Sequence, residues 1–176
     1  MADTASRLMP PRSADCRVLR TYDDGLQIVT FDPRYRQDFE RLNVAWLERY
    51  FEVEPIDERV LGNPEAEILA PGGEILFALL GDAVVGTVAL KLEEGGDFEL
   101  TKMAVEPAWQ GRGFGKRLLE TACELAKRRG ASRIVLYSQR GLKAAVTMYS
   151  RFGFVELPLN DARYSRCDVM MAKTFV

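Results

Sequence analysis

The pattern of apolar and polar positions along the chain predicts an α/β protein. Short runs rich in β-favouring apolar residues are interleaved with longer segments in which apolar residues recur every three or four positions. These two periods are typical of strands and of amphipathic helices. We therefore expect a mixed central sheet of about seven strands flanked by about four helices. The β-favouring runs lie at 16–21, 26–31, 74–80, 83–92, 98–105, 133–138, 154–157 and 166–175.

The turns between these runs predict the directions of the strands. Asp24-Gly25 and Gly81-Asp82 are tight-turn pairs, so the strands on either side of each pair are expected to be antiparallel. A helical pattern separates the run at 98–105 from the run at 133–138. Such a crossover joins parallel strands of one sheet. The helical patterns lie at 33–51, 56–61, 112–128 and 142–152.

Residues 99–119 carry the strongest functional signal. A strand-like run ends before Pro107, glycines occupy positions 111, 113 and 115, and a helical pattern follows. The N-terminus of a helix offers unpaired N–H groups and the positive end of the helix dipole. Glycines let the backbone close around a bulky phosphate group. The main chain of residues 110–116 is therefore predicted to cradle a diphosphate.

Two other phosphate-binding loops do not fit this stretch. A dinucleotide fingerprint that starts at Gly111 requires a third glycine where Lys116 stands. A P-loop requires a glycine where Gln110 stands, and a serine or threonine where Arg117 stands. An ordinary strand–turn–helix, with glycines that serve close packing, stays open at this point.

Composition narrows the chemistry. The chain has 176 residues and a net charge of −2, which argues against a general nucleic-acid surface. Its three cysteines lack metal-site spacing, and no apolar run is long enough for a membrane span. We expect no metal, a cytoplasmic location, a loose leader over 1–14 and one domain over 15–176. Histidine is absent, so proton transfer must fall to Glu, Asp, Tyr, Lys or Cys.

The glycine-rich turn resembles that of a known superfamily. Gln110, Gly113 and Gly115 match the pattern Gln/Arg-x-x-Gly-x-Gly/Ala of the GNAT superfamily of acetyl-coenzyme A (acetyl-CoA) dependent N-acyltransferases. The order of predicted elements over 16–175 is also similar to the GNAT fold. The resemblance therefore implies a single GNAT-like domain.

A second motif supports the same resemblance. Ala145 and Tyr149, followed by Gly153 and Phe154, look like the superfamily segment Ala-x-x-x-Tyr-x-x-x-Gly-Phe. The chain departs from the family at Leu142, where many relatives place an asparagine that touches coenzyme A.

The resemblance implies that acetyl-CoA is the co-substrate. It implies that the backbone of Met103, Ala104 and Val105 holds the pantetheine arm, where the central strand separates from its parallel neighbour. A main-chain N–H in this segment would also stabilise the charge that develops on the acyl oxygen. The residues expected around the diphosphate are Gln110, Gly111, Arg112, Gly113, Phe114, Gly115 and Lys116, with Arg117 as a further source of positive charge.

Two residues are candidates for proton transfer. By resemblance, Tyr149 is the acid that protonates the leaving thiolate, and a phenol can donate a proton at neutral pH. The position of Glu99, four residues before Met103, resembles that of a general-base glutamate. Strand alternation predicts that Glu99, Thr101 and Met103 share one face. The alternatives are a core tyrosine at 149 and, for Glu99, an exposed strand end or an ion pair with Lys102 or Lys91.

The acceptor is expected to be a primary amine of a small molecule or peptide. The resemblance implies that the first helical pair and the last hairpin loop line its site. Carboxylates beside aromatic rings would suit a cationic amine, and arginines would suit an acceptor with its own carboxylate. A non-catalytic acyl-CoA sensor and a hydroxyl acceptor are alternatives, a homodimer is possible, and no nucleic-acid or membrane partner is expected. The residues in question are Trp46, Glu48, Tyr50, Phe51, Glu52, Glu54, Asn160, Arg163, Tyr164 and Arg166.

Overall fold

A mixed sheet with helices on both faces forms the framework of the protein. The computed structural model describes residues 15–160 and 164–176, so the leader expected over 1–14 lies outside the described residues. The helices are α1 (Arg36–Tyr50), α2 (Pro55–Gly62), α3 (Phe114–Arg128) and α4 (Lys143–Arg151). The strands are β1 (Val18–Thr21), β2 (Leu26–Thr30), β3 (Glu74–Leu80), β4 (Ala83–Leu92), β5 (Phe98–Val105), β6 (Arg133–Ser138), β7 (Val155–Leu157) and β8 (Val169–Thr174).

The α/β architecture predicted from the sequence is confirmed, with eight strands in the described residues in place of about seven. The strand order is β1-β2-β3-β4-β5-β6-β8-β7. Strands β5 and β6 are parallel, as the helical crossover predicted, and the other neighbouring pairs are antiparallel. The crossover helix α3 therefore links the two parallel strands.

Local contacts explain where two elements begin. Helix α3 begins at Phe114, two residues later than the pattern at 112 predicted, because Gly113 has a left-handed φ of 80° that a helix cannot contain. Strand β8 begins at Val169, later than predicted, because the preceding side chains are held in polar contacts. Asp168 accepts a hydrogen bond from the Arg140 N–H at 2.8 Å, and Arg166 is bound to Asp57.

Each face of the sheet has its own apolar core. On one face, Leu118 and Leu119 of α3 pack with Phe98 and Leu100 of β5, and Tyr149 of α4 joins this cluster. The other face is covered by α1 and α2, and the cluster there is formed by Phe39, Leu42, Leu47, Val60, Leu61, Ile75 and Phe77, among others. Burial of this apolar surface on both faces fixes the sheet between the two helical layers.

Strand β5 pairs differently with its two neighbours, β6 and β4. Its parallel pairing with β6 covers two residue pairs, Phe98 with Ile134 and Glu99 with Val135. On the other side, the register with β4 shifts between Thr87 and Ala89, which face Ala104 and Thr101. Two residues of β5 thus oppose one residue of β4, which is a β-bulge. The second half of β5 is therefore both separated from β6 and irregular.

Candidate active site

A cleft opens where β5 and β6 separate. Its volume is about 460 Å³, and it is lined by the second half of β5, the end of β6, the glycine-rich turn, and parts of α1 and α4. Every residue that the sequence analysis placed in the catalytic or cofactor site lines this cleft except Arg112 and Arg117. These lining residues are Glu99, Met103, Ala104, Val105, Gln110, Gly111, Gly113, Phe114, Gly115, Lys116 and Tyr149.

The glycine-rich turn presents a helix N-terminus to the cleft. Gly111 and Gly113 have φ values of 78° and 80°, which residues with a Cβ atom rarely adopt. Gly113 caps α3 without a side chain, and no acidic residue stands in the first turn of the helix. The Arg117 N–H donates to the Gly113 carbonyl oxygen at 3.1 Å, so the N–H groups of residues 114–116 precede the helical ladder. This turn fits a diphosphate group.

A side chain fixes the turn to the strand before it. The Gln110 amide donates through Nε2 to the Val105 carbonyl oxygen at 3.0 Å. This hydrogen bond explains why the motif begins with a residue that carries a donor.

The basic residues of the turn differ in their positions. Lys116 lines the cleft. The Arg112 guanidinium lies 4.6 Å from the centre of the Trp109 ring. Arg117 was expected to add positive charge near the diphosphate, but its Nη1 lies 2.7 Å from Asp24 Oδ2, and its guanidinium is stacked on the Tyr22 ring. Arg117 therefore ties α3 to the hairpin of β1 and β2.

The bulge changes which residues of β5 share a face of the sheet, so the expected arrangement is wrong. Alternation predicted Glu99, Thr101 and Met103 on one face, but Met103 packs with the cluster around α3 and α4, as Phe98 and Leu100 do. Glu99 and Thr101 alternate with Phe98 and Leu100, so they face α1 and α2 instead. The extra residue in the bulge reverses the alternation after Thr101.

Glu99 is buried on the side of the cleft that faces α1 and α2. It is 1% exposed, so the alternative of an exposed strand end is wrong. The Tyr164 phenol lies nearby: burial raises the pKa of Tyr164 to about 12, and the charge of Glu99 adds to this increase. Lys102, considered as a partner of Glu99, places its Nζ 2.5 Å from Asp57 Oδ1, and the charge of Glu99 also acts on this ammonium.

Tyr149 lies on α4 on the opposite side of the cleft. It is 8% exposed, and its ring packs against Phe154 with 5.9 Å between ring centres. Burial raises the pKa of Tyr149 to about 12, so its phenol stays protonated at neutral pH and can donate a proton. Tyr149 is therefore a protonated phenol that lines the cleft.

An ion cluster at the acceptor end was not expected from the sequence. Asp57 of α2 is fully buried and binds both Lys102 and Arg166, and Arg166 also contacts Glu54 at 2.6 Å. Burial would raise the pKa of Asp57, but the hydrogen bonds from Arg166 and Lys102 outweigh it and lower the pKa. Pro55 followed two residues later by Asp57 is a sequence signal for a helix start, but it does not show what the carboxylate binds.

The residues proposed for the acceptor site divide into two groups. Trp46, Phe51, Tyr164 and Arg166 line the cleft. Glu54 is bound to Arg166 and Ser165 instead, and Arg163 lies outside the described residues. The remaining candidates are not among the lining residues: Glu48, Tyr50, Glu52 and Asn160.

The described parts of the chain, 15–160 and 164–176, lack both a metal-binding cluster and a membrane-spanning helix. They contain no group of three or more His, Cys, Asp or Glu side chains placed to hold a metal ion. They also contain no helix of sufficient length and apolarity to cross a membrane.

Comparison with known proteins identifies the family. The model of the acetyltransferase (GNAT) family matches residues 34–154, more than half of the 176-residue chain. The chain therefore belongs to this family of acyltransferases, as its motifs predicted.

Individual relatives are distant. The chain is 30% identical over 101 residues to the uncharacterized N-acetyltransferase YvbK of Bacillus subtilis, a match that covers 56% of this chain and 65% of the relative. It is 28% identical over 78 residues to the mycothiol acetyltransferase of Beutenbergia cavernae, which covers 44% of this chain and 26% of the relative. The chain thus spans less than two thirds of these relatives.

Solved structures share the fold over most of the chain. A GNAT-family acetyltransferase of Staphylococcus aureus superimposes with a TM-score of 0.76 at 21% identity, covering 85% of this chain and 99% of that structure. A Salmonella typhimurium protein solved with its cofactor acetyl-CoA has a TM-score of 0.67 at 20% identity, with coverages of 85% and 94%.

The burial of Tyr149 predicts a loss of stability at alkaline pH. The pKa of Tyr149 is about 12 in the fold and about 10 in an unfolded chain. The stability that the buried, protonated phenol contributes is therefore fully present below pH 10 and is lost as pH rises toward 12. Between pH 9 and pH 11, the free energy of unfolding of Tyr149→Phe should fall by about 1 kcal/mol less than that of the wild type. Urea unfolding at each pH measures this difference. Tyr50 is 44% exposed, so Tyr50→Phe is the control and should follow the wild type; equal slopes for all three proteins would contradict the prediction.

Proposed function

We propose that the protein is an acetyl-CoA-dependent N-acetyltransferase that acetylates a primary amine of a small molecule or peptide by direct attack in a ternary complex. The observation that carries this proposal is that a glycine-capped helix N-terminus, the separated half of β5 and the buried Tyr149 phenol line one cleft. A pocket that brings an anion site and a protonated acid together suits acyl transfer from a thioester.

The cofactor side of the cleft fits acetyl-CoA. The N–H groups of residues 114–116 and the Lys116 ammonium would hold the diphosphate. Because β5 leaves β6 after Glu99, the backbone groups of residues 103–105 are not used in pairing with β6 and can bind an amide-rich arm. Acetyl-CoA supplies the acetyl thioester when it is bound. Leu142 also lines the cleft, at the position where many relatives have asparagine.

Two residues would move protons. Tyr149 would donate its phenolic proton to the leaving sulfur, because a phenol is protonated at neutral pH and Tyr149 lines the cleft. An alkyl amine with a pKa of about 10 is mostly cationic at neutral pH and must lose a proton before it attacks. Glu99 faces the acceptor side of the cleft, away from Met103, and is the candidate base.

The acceptor end favours an amine on an apolar group over an amino acid. The rings of Trp46, Phe51 and Tyr164 line this end. Arg166 is already bound to Asp57 and Glu54, so its guanidinium is engaged within the protein rather than open to an acceptor carboxylate. A homodimer and a cytoplasmic location stay predictions from the sequence.

A thiol-release assay with acetyl-CoA and a panel of amines tests the proposed function. The panel contains arylalkylamines, polyamines, aminoglycosides, amino acids and lysine peptides, and calorimetry measures acetyl-CoA binding in parallel. We expect acetyl-CoA to bind and at least one amine without a carboxylate to be acetylated. Binding without turnover on any amine would favour the sensor alternative, and absence of binding would overturn the assignment of the cleft.

Replacement of the proposed acid should impair chemistry more than binding. Tyr149→Phe removes the phenolic proton but keeps the ring against Phe154, so kcat should fall by about 10²- to 10⁴-fold with little change in acetyl-CoA affinity. Steady-state kinetics and calorimetry measure the two effects. Tyr35 is buried but does not line the cleft, so Tyr35→Phe is the matched control. An unchanged kcat in Tyr149→Phe would exclude the role of acid.

Replacement of the helix cap should abolish cofactor binding. Gly113→Glu places a carboxylate at the turn that is proposed to hold the diphosphate, so acetyl-CoA binding by calorimetry should be lost through repulsion. Gly130 lies at the other end of the same helix and has a φ of 85°, so Gly130→Glu introduces similar backbone strain far from the cleft. That control should bind acetyl-CoA normally, and retained binding by Gly113→Glu would mean that the diphosphate binds elsewhere.

A further inference from the structure

The bulge in β5 contains a backbone conformation that is unusual for its residue. Lys102 has a φ of 52°, and it is the one residue other than glycine with a positive φ among residues 15–160 and 164–176. A side chain with a Cβ atom disfavours this left-handed conformation. Contacts from outside the strand must therefore stabilise it.

The Lys102 side chain is held by the ion cluster at the acceptor end. Its Nζ lies 2.5 Å from Asp57 Oδ1 and 5.0 Å from the centre of the Tyr164 ring. The side chains of Lys102 and Asp57 are 5% and 0% exposed, so water does not replace this contact. The buried ammonium requires this carboxylate, because an unpaired buried charge is strongly destabilising.

Asp57 is itself held in position by three other groups. It accepts hydrogen bonds from Arg166 Nη1 at 2.8 Å, from Arg166 Nη2 at 2.9 Å and from the Glu54 N–H at 3.0 Å. Glu54 in turn binds Arg166 and accepts from the Ser165 hydroxyl at 2.5 Å. The first turn of α2 and the segment before β8 thus form a fixed support for the Lys102 ammonium.

The conformation of Lys102 determines where the next residues of β5 point. The bulge reverses the alternation, so that Met103 packs toward α3 and α4 while Glu99 faces α1 and α2. Residues 103–105 are the backbone that is proposed to contact acetyl-CoA. Without the bulge, Met103 would lie on the same face as Glu99, and the backbone groups beside it would turn with it.

We infer that the Lys102–Asp57 ion pair is a positioning device that holds the bulge of β5, and with it the acyl-binding backbone of residues 103–105, in the active conformation. This inference rests on the proposed function. The ammonium acts through the strand and does not itself touch the reacting atoms. Asp57 and Arg166 are the further members of the device, because they fix the ammonium in place.

Two substitutions at position 102 distinguish a positioning role of the ion pair from a direct role of the ammonium and from a purely stabilising pair. Lys102→Met keeps a Cβ atom and a long apolar stem but removes the charge, so the left-handed conformation loses its support. Lys102→Gly removes the charge as well, but glycine adopts a positive φ without penalty. Asp57 keeps both hydrogen bonds from Arg166 in each variant.

The two variants should differ in activity. We expect Lys102→Met to lower kcat by about 10- to 100-fold, because a displaced acyl-binding backbone misaligns the thioester. Lys102→Gly should stay within about threefold of the wild type, and Lys102→Arg, which keeps the charge, should also retain activity. Equal losses in Lys102→Met and Lys102→Gly would overturn the inference in favour of a direct role of the ammonium. Full activity in both would overturn it in favour of a purely stabilising pair.

Two further measurements do not depend on turnover. Crystal structures of the variants report φ at residue 102 and the register of β4 and β5. A flattened bulge in Lys102→Met, with a bulge kept in Lys102→Gly, supports the inference, and an unchanged bulge in Lys102→Met overturns it. Calorimetry adds the affinity for acetyl-CoA, which should fall in Lys102→Met alone, because residues 103–105 are the backbone that is proposed to hold the pantetheine arm.

Controls distinguish a failure of this inference from a failure of the proposed function. Arg129→Met breaks the Arg129–Glu74 ion pair at the far end of α3 and should leave kcat unchanged. If Lys102→Met does not fold, Lys102→Ala takes its place, because alanine also has a Cβ atom and no charge. A wild-type protein that binds no acetyl-CoA would refute the proposed function, whereas the crystal structures would still decide whether the ion pair holds the bulge.

Discussion

The early separation of β5 from β6 is the constraint on which the site depends. The parallel pairing ends after Phe98 and Glu99, so the following backbone groups on the β6 side of β5 are left to bind something other than a strand, while the other edge stays paired with β4. The same separation creates the cleft, into which α3 presents its N-terminus and α4 presents Tyr149. The cleft is therefore lined by the N-terminus of α3, the open edge of β5 and the buried Tyr149 phenol. This combination suits the binding of a phosphate-bearing thioester.

The two sides of the cleft are stabilised by different forces. On the side of α3 and α4, apolar packing around Leu118 and Leu119 fixes the helices against the sheet, and Tyr149 is part of that core. On the side of α2 and the segment before β8, charge dominates, because Lys102, Asp57 and Arg166 are paired largely out of contact with water. Apolar packing thus fixes the side of the cleft that carries α3 and α4, and ion pairs fix the side that carries α2 and Arg166.

Much of the fold and of the cofactor site could be predicted from the sequence because both depend on local patterns. The turn at Asp24-Gly25, the crossover helix after β5 and the glycines at 111, 113 and 115 act through the backbone of their own neighbours. The faces of β5 could not be predicted, because the bulge shifts the alternation by one residue and lysine is not a residue that signals a positive φ. Arg117 likewise gave no local sign that it would bind Asp24 rather than face the cleft.

The sequence by itself determined the family, the order of elements and most of the residues that line the cleft side with the glycine-rich turn, because spacing within one strand–turn–helix unit places them. The tertiary structure alone decided which charges neutralise each other. Asp57 and Lys102 are 45 residues apart in the chain and meet because the tertiary fold brings the first turn of α2 to the second half of β5. A contact of this kind depends on the packing of whole elements, and no pattern of neighbouring residues encodes it.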